Sequence, residues 1–390
     1  MLIADLAAWL VEESERRGEL SSLFEGFCTR LDAAGLGLWR TTLGLETLHP
    51  ELSGIMLRWH PQAGMLEPRK TPRAGVLASE SYLRSPVKVV DDTGRPFRWR
   101  AGEPMLGMPL LAELAGEGVT DYVMLPLPFL DGSRTAVMSF ATRAPGGFTA
   151  EHYRTLAQAA RLFSPWAERV LLRKIALGLL EAYVGPAAGR RVYDGQIERG
   201  DVETITAAIL CCDLRGFTAL SDRLPRREVV GLLNRWFEVT GAAIEGEGGE
   251  ILKFMGDGLL AVFPIEGEPA ATCGRALLAA EAALAGTAAL DPELVAAGHH
   301  TLRFGVGLHR GDVELGNIGT RTRLDFTVIG PAVNMASRLE SLTKELGEPV
   351  VASAAFAAAV GRRMRPLGSY RLRGIAEPVA VFGLEGPAFA

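Results

Sequence analysis

The sequence predicts an α+β fold, in which helices alternate with the strands of a largely antiparallel sheet. Two observations carry this prediction. Apolar residues recur every three or four positions in some segments, as they do on one face of a helix. Other segments contain short β-like runs bounded by Gly, Pro and Asp. The chain has 390 residues, which fits two or three domains at roughly 100–200 residues each.

Two helices are predicted at the start of the chain, followed by short strands. The apolar residues at helical spacing are Leu2, Leu6, Trp9, Leu10, Leu20, Leu23, Phe24, Phe27 and Leu31. From Gly35 to about Thr142 come the β-like runs, such as GIMLRWH and DYVMLPLPF, which turn residues separate. Residues 1–148 are therefore predicted to form one mixed α/β module.

A helical segment and a linker are predicted over residues 149–200. The apolar residues at seven-residue spacing in the helical part are Leu156, Phe163, Val170 and Leu177. This spacing suits a parallel dimer seam, and it equally fits a stripe that faces a domain core. Ser164 and Pro165 resemble a helix cap and a first turn, so we expect two helices or one kinked helix. Residues 184–200 are Gly-rich and charged, as in a linker.

Residues 201–390 are predicted to form a second domain. Its expected elements, in order, are a strand (204–212), a helix (226–244), a hairpin (250–254 with 259–263), an Ala-rich helix (269–285), strands at 302–309, 313–316 and 325–329, a helix (332–346), and a closing strand, helix and two strands. Strands that alternate with helices in this order are typical of an antiparallel-rich sheet of the ferredoxin-like type.

The composition excludes several classes of protein. Lys and Arg total 41 against 46 Asp and Glu, and no stretch combines basic and aromatic residues as a nucleic-acid groove requires. The cysteines, Cys28, Cys211, Cys212 and Cys273, have no metal-binding spacing. The first residues lack the charged start and continuous apolar stretch of a signal peptide, and no apolar run approaches the roughly 18–20 residues of a membrane span, so we expect neither. We therefore expect a cytoplasmic protein with no nucleic-acid partner and no membrane span.

Two aspartates lie at the ends of predicted strands. Asp213 follows a hydrophobic strand within CCDLRGFT, and Asp257 lies at the turn of the predicted hairpin, in EILKFMGD. Mg²⁺ prefers oxygen ligands, usually one or two carboxylates together with substrate phosphates. Carboxylates from neighbouring strands could therefore hold a pair of magnesium ions, with room for a triphosphate at Gly216, Gly256 and Gly258.

A third string, DFTVIGPAVNMASRL, supplies Asn334 and Arg338, which lie four residues apart and so on one helix face. A single aspartate at a strand end is usually a turn residue, but the order of the three strings is specific. Residues 202–384 resemble the catalytic domain of a class III nucleotide cyclase. The positions that match the family's metal strand and metal hairpin are Asp213, Gly216, Phe217, Thr218, Lys253, Gly256 and Asp257.

The resemblance implies the chemistry of the site. It implies two Mg²⁺ (or Mn²⁺) ions per site, at Asp213, Leu214 and Asp257. The substrate would contact Gly216, Phe217, Thr218, Lys253, Thr327 and Arg373. Asn334 would orient the ribose, and Arg338 would meet the charge that develops on the α-phosphate. The implied reaction is attack of the ribose 3′-hydroxyl on the α-phosphate, with pyrophosphate as the leaving group.

Lys253 and Thr327 predict adenine as the base. Adenine presents an acceptor ring nitrogen and a donor amine, so it needs one protein donor and one acceptor, which Lys253 and Thr327 supply. Thr327 stands where many relatives carry aspartate, which resembles a threonine-type subgroup. The sequence therefore predicts an adenylate cyclase that acts on ATP. The alternatives are a guanylate cyclase and a signalling protein that only binds nucleotide.

The resemblance also implies a homodimer, because in this family opposite chains supply the metal residues and the base-binding residues of one site. Two equivalent sites would then lie at the interface. The segment LPLPFLDGSRTAVMSFATRAPGGFTAEHYRTLAQAARLF, residues 125–163, resembles the last strands and helix of a GAF-like sensor domain, so residues 1–148 are expected to be such a domain. The aromatic and histidine residues that could line a pocket for a small molecule are Trp39, His49, Trp59, His60, Trp99 and Tyr122. The other interpretation is a dimerisation scaffold with an ordinary core; in both cases we expect regulation through residues 149–200.

Overall fold

In the computed structural model the chain divides into two compact units, Met1–Ala182 and Tyr183–Ala390. The structure describes residues 2–15, 19–130, 136–296, 298 and 301–385. Within these residues the first unit contains a six-stranded sheet and the second an eight-stranded sheet. Each unit also contains several helices, so the predicted combination of α and β structure is confirmed.

In the first unit the described helices are α1 (Leu2–Glu15), α2 (Leu20–Leu31), α3 (Glu80–Leu83), α4 (Pro86–Thr93), α5 (Pro109–Gly116) and α6 (Ala150–Val184), which reaches the unit boundary. Its strands are β1 (Arg40–Glu46), β2 (Leu52–His60), β3 (Gly64–Pro72), β4 (Phe97–Arg100), β5 (Asp121–Pro126) and β6 (Ala136–Thr142). The sheet order is β3-β2-β1-β6-β5-β4, and all neighbours are antiparallel.

The helix α6 runs as one element through Pro165, so of the two expected arrangements the structure has the single helix. Ser164 does not cap a helix, because its hydroxyl donates to the carbonyl oxygen of Pro128 at 2.9 Å. Leu156 and Phe163 are fully buried in the core of the first unit, which favours the core-facing interpretation for this part of the stripe. The dimer seam stays a prediction.

The aromatic residues proposed to line a pocket mostly form ordinary core. Trp59, Trp99 and Tyr122 are buried in apolar clusters. The Trp39 ring packs edge-on against His60 at 4.1 Å between ring centroids, and its indole N–H donates to Glu117 at 3.4 Å. These contacts satisfy the side chains without a ligand, so the small-molecule pocket and the GAF-like assignment stay predictions.

In the second unit the described helices are α7 (Pro186–Tyr193), α8 (Phe217–Arg223), α9 (Arg226–Gly246), α10 (Pro269–Ala289), α11 (Asp291–Ala296), α12 (Pro331–Leu346) and α13 (Ala354–Ala359). Its strands are β7 (Val202–Leu214), β8 (Glu250–Met255), β9 (Gly258–Pro264), β10 (Phe304–Gly319), β11 (Leu324–Ile329), β12 (Val350–Ser353), β13 (Arg365–Tyr370) and β14 (Val379–Gly383). The sheet order is β13-β14-β12-β10-β7-β9-β8, and β11 pairs with β10.

Two details of the second unit differ from the sequence prediction. The strands expected at 302–309 and 313–316 are one long strand, β10, which pairs with β7 from Phe304 to Gly316. Gly311 lies within this ladder, where an added Cβ would come 2.8 Å from the Cβ of Ala332. The expected linker contains α7, whose Ala188 is fully buried in an apolar cluster of the second unit.

One helical stretch in the described residues, Pro269–Ala296, is long and apolar enough to cross a membrane by length and composition alone. The sequence predicts an Ala-rich helix at 269–285 but no membrane span. Its small and apolar side chains Cys273, Ala276, Leu277 and Ala280 are fully buried in the core of the second unit. This packing is that of a core helix. The cytoplasmic location stays a prediction.

The helix α12 packs directly onto the backbone of β10. An added Cβ on Gly305 would lie 2.0 Å from Oγ1 of Thr343, and one on Gly307 would lie 2.2 Å from the carbonyl oxygen of Ala336. Glycine is needed at both positions because any side chain would push the helix away from the sheet. The two glycines therefore set the distance between the sheet and α12, which carries the polar residues.

We predict that Gly307→Ala lowers the free energy of unfolding by about 1–3 kcal/mol, because the new methyl group overlaps the backbone of α12. The matched control is Gly231→Ala in α9, where no described atom lies within 4 Å of the new Cβ. This control should raise stability by up to about 1 kcal/mol, since alanine favours helix. Urea denaturation measures both variants, and equal effects would contradict the close packing of α12.

Candidate active site

Asp213 and Asp257 lie at one end of the β7–β9 pair. Asp213 is the cross-strand partner of Gly258, the residue next to Asp257. The Leu214 N–H donates to the carbonyl oxygen of Asp257 at 3.1 Å, which ties the two strand ends together. Burial and the neighbouring Asp257 charge raise the pKa of Asp213 to about 6. The two carboxylates therefore repel each other at a position that a cation would stabilise.

Glycines shape the backbone around these carboxylates. An added Cβ on Gly258 would lie 2.6 Å from Oδ1 of Asp213, so only glycine leaves this space to the carboxylate. Gly216 and Gly256 have φ angles of 72° and 68°, a conformation that favours glycine. The three glycines noted in the sequence thus form the two turns and the close strand contact at this site.

Phe217 and Thr218 begin the seven-residue helix α8, directly after Gly216. Phe217 is half-buried against the core of the second unit, whereas Thr218 is exposed. Both lie within five residues of Asp213 in the chain.

Glu340 on α12 is an acidic residue of this region that sequence reasoning missed. Its Oε1 lies 3.2 Å from the position of a Cβ on Gly305, and Gly305 is the cross-strand partner of Asp213. Burial and the Asp213 charge raise the pKa of Glu340 to about 7, against the opposing effect of Arg215. No local sequence signal marks Glu340. It lies near Asp213 because α12 packs on β10, and β10 pairs with β7.

The donor set fits magnesium. Mg²⁺ usually binds proteins through one or two carboxylates and takes its other ligands from water and substrate phosphates. Asp213 and Asp257 provide such a pair. No cluster of three or more His, Cys, Asp or Glu ligands occurs in the part of the chain that the structure describes. A site that relies on a phosphate-bearing substrate is consistent with both facts.

Lys253 on β8 forms an ion pair with Asp325 on β11, with 3.7 Å between Nζ and Oδ2. Asp325 and Thr327 lie two residues apart on one strand and so share a face. The Thr327 side chain is buried, and its hydroxyl has no hydrogen-bond partner among the described residues. A buried hydroxyl without a partner costs free energy unless a ligand supplies the bond. Sequence reasoning did not select Asp325.

Asn334 lies near the start of α12 and is exposed, with Arg338 one turn further on. The guanidinium of Arg338 lies beside Gly374, where an added Cβ would come 3.3 Å from Nη2. Arg373 precedes Gly374 and is exposed. This loop is anchored by Leu372, which packs in an apolar cluster with residues of α12. The structure thus brings Arg338 close to the loop that carries Arg373.

The predicted residues form two groups in this chain. Asp213, Leu214 and Asp257 meet at the end of β7, and Arg338 lies beside the Arg373 loop. Lys253 belongs to neither group, because its ion pair is with Asp325 of β11.

The second unit matches a known family. Residues 201–384 match the family model described as adenylate and guanylate cyclase catalytic domain. This region is therefore a class III adenylate and guanylate cyclase catalytic domain. An adenylate cyclase of Anabaena cylindrica is 35% identical over 189 residues, and adenylate cyclase 1 of Rhizobium meliloti (strain 1021) is 31% identical over 179 residues.

These matches cover 48% and 45% of this chain, but only 37% and 26% of the two relatives' own lengths. Among solved structures, the adenylyl cyclase CyaB from P. aeruginosa is 28% identical, with a TM-score of 0.45. The match covers 48% of this chain and 98% of that one.

We predict that Glu340→Gln makes the stability of the metal-free protein less dependent on pH. The pKa of Glu340 is raised from 4.5 to about 7, so its contribution to stability is present below the unfolded pKa and is lost as the pH rises through 7. Glutamine cannot ionise, so the variant should lose less stability between about pH 5 and 8. Calorimetric melting temperatures in EDTA measure this loss. The control is Glu345→Gln, exposed on the same helix; identical pH profiles for Glu340→Gln and the wild type would refute the assignment.

Proposed function

We propose that the protein is an adenylate cyclase that converts ATP to 3′,5′-cyclic AMP and pyrophosphate. The observation that carries the proposal is the pair of mutually repelling carboxylates, Asp213 and Asp257, at one strand end of a cyclase catalytic domain. Two relatives with sequence similarity in this region are adenylate cyclases. Their similarity supports ATP as the substrate.

Asp213 and Asp257 would hold two Mg²⁺ or Mn²⁺ ions, with Leu214 beside them. Such ions stabilise the attacking and leaving oxygens of an in-line displacement. Gly258 keeps the Asp213 carboxylate clear of side-chain atoms from β9, so the carboxylate stays available to a ligand. The substrate phosphates would lie against the turn at Gly216, with Phe217 and Thr218, and would reach Arg373. In this arrangement the protein supplies negative charge for the ions, and the ions supply positive charge for the phosphates.

Asn334 and Arg338 act on the reacting part of the substrate. The planar guanidinium of Arg338 can pair with two oxygens of the α-phosphate at once. Asn334, one turn earlier, would hold the ribose so that its 3′-hydroxyl faces that phosphate. Because Gly305 and Gly307 fix α12 on the sheet, neither side chain needs a large backbone movement to reach its position.

Lys253 and Thr327 support adenine as the base. The Lys253 ammonium donates to the ring nitrogen, and its ion pair with Asp325 holds it near β11. The Thr327 hydroxyl, buried without a partner among the described residues, can accept from the exocyclic amine. Thr327 also supports membership of a threonine-type subgroup.

We further propose a homodimer with two shared sites. The ion pair of Lys253 supports this, because it is with Asp325 of β11 and not with Asp213 or Asp257. In the proposed dimer, Asp213 and Asp257 of one chain work with the base-binding residues of the other chain. Large apolar side chains around Lys253 and Thr327 are exposed: Phe254 is 55%, Met255 46% and Ile329 49% accessible. A two-fold axis that buries this surface would complete both sites.

Regulation by the first unit, through a small molecule or through dimerisation, is part of the same proposal. Its support is the GAF-like pattern of the sequence. Turnover that is unchanged by removal of residues 1–182 would contradict it.

We predict that the purified full-length protein with Mn²⁺ or Mg²⁺ forms cyclic AMP from ATP faster than cyclic GMP from GTP. Asp257→Asn should abolish turnover because it removes a metal carboxylate. Arg338→Ala should lower kcat by about 100- to 1000-fold, as expected for loss of a donor to the developing charge. Product analysis by chromatography measures these rates. Cyclic GMP alone would favour the guanylate cyclase alternative, and no product from either nucleotide would favour the nucleotide-binding alternative.

We predict that mixing two inactive variants restores activity if the sites are shared. Asp257→Asn removes the metal half of a site, and Arg338→Ala removes the other half. Half of randomly paired dimers are mixed, and each mixed dimer keeps one intact site, so about a quarter of wild-type activity should return. As the control, Arg338→Ala mixed with Lys253→Ala should gain nothing, because both defects lie in the same half-site. Absence of any gain in the first mixture would exclude shared sites.

A further inference from the structure

Arg215 connects the strand end that carries Asp213 with the C-terminal end of α12. It follows Leu214 directly, between the metal strand and the turn at Gly216. Its backbone N–H donates to the carbonyl oxygen of Arg303, just before β10, at 2.7 Å. The backbone at Arg215 is therefore held in place independently of its side chain.

The Arg215 side chain binds the end of α12. Its Nη2 donates to the carbonyl oxygens of Thr343 at 3.2 Å and Glu348 at 2.6 Å. Thr343 lies in the last turn of the helix, and Gly347 ends the helix with a φ angle of 67°. Carbonyl groups in the last turn carry partial negative charge, so a guanidinium there is stabilised by the helix dipole as well as by hydrogen bonds.

The position of this guanidinium is restricted. Its Nε is buried and has no hydrogen-bond partner among the described residues, so the two carbonyl groups at the helix end determine where it lies. Glu340, one turn earlier on α12, is close enough for Arg215 to lower its pKa. The positive charge thus lies between the end of α12 and the acidic groups around Asp213.

We propose that Arg215 is a positioning residue that ties the metal-binding strand end to α12. It does not contact substrate; it acts through Asp213 on one side and through α12, which carries Arg338, on the other. This inference rests on the proposed function. In a dimer with shared sites, the Asp213 of a chain serves one site and its Arg338 serves the other. Arg215 therefore sets the geometry of two half-sites at once and couples the two active sites of the dimer.

The test compares Arg215→Gln and Arg215→Lys with the wild-type full chain. The first readout is Mn²⁺ binding, followed from the electron paramagnetic resonance signal of unbound Mn²⁺. Arg215→Gln should bind Mn²⁺ about 10-fold more weakly or worse, the usual effect of losing a group that orients a metal ligand. Arg215→Lys keeps the charge but not the planar fork, so its affinity should lie between the two.

The second readout is steady-state turnover at saturating Mn²⁺. Arg215→Gln should lower kcat about 10- to 100-fold and leave the KM for ATP within about twofold, because Arg215 orients the reacting groups without binding the nucleotide. The control is Arg235→Gln, which removes an exposed arginine paired with Glu293. This control should leave Mn²⁺ affinity, kcat and KM unchanged.

Thermal unfolding separates positioning from a merely structural role. If Arg215→Gln lowers the melting temperature but the folded variant binds Mn²⁺ as the wild type does, the proposal is overturned. Should Arg215→Gln not fold, wild-type Mn²⁺ affinity in Arg215→Lys would overturn it equally, and weakened affinity would support it. Absence of cyclic AMP from the wild type contradicts the proposed function alone, since the Mn²⁺ measurement still decides the role of Arg215.

Discussion

The repulsion between the Asp213 and Asp257 carboxylates is the interaction on which the proposed activity depends. Strand pairing places both groups at one end of the β7–β9 ladder, and Gly258 leaves the space that the Asp213 carboxylate occupies. Burial first, and the Asp257 charge second, raises the pKa of Asp213 to about 6, so both effects disfavour the ionised carboxylate in the absence of a cation. A triphosphate would add further negative charge, so divalent cations are the complement that both the protein and the substrate require.

The second constraint is the close contact between α12 and the sheet. Gly305 and Gly307 allow the helix to lie on the backbone of β10, and Arg215 binds its C-terminal end. Asn334 and Arg338 therefore lie on one helix, and the distance of this helix from the sheet that carries Asp213 is fixed. Packing alone, with no ligand, therefore fixes the positions of the α12 residues relative to Asp213, although they are distant in sequence.

Much of the second unit could be predicted from the sequence, because its strands and helices have clear apolar spacing and its three motifs occur in a specific order. The long strand β10 was predicted as two strands, since its continuity rests on its pairing with β7, which no local pattern shows. Glu340 and Asp325 were missed for a related reason. Their neighbours, Asp213 and Lys253, come from other strands, and no local pattern marks such contacts. The hydroxyl of Thr327, which has no hydrogen-bond partner in the part of the chain that the structure describes, likewise becomes evident only once its burial is known.

The most direct test of this account is a crystal structure of the full-length protein with Mn²⁺ and a non-reacting ATP analogue, with manganese located by its anomalous scattering. The account predicts manganese coordinated by Asp213 and Asp257 of one chain and by the phosphates of the analogue. It also predicts that the adenine of that analogue contacts Lys253 and Thr327 of the other chain. Bound nucleotide with no metal at the two carboxylates, or a site completed by one chain alone, would contradict it.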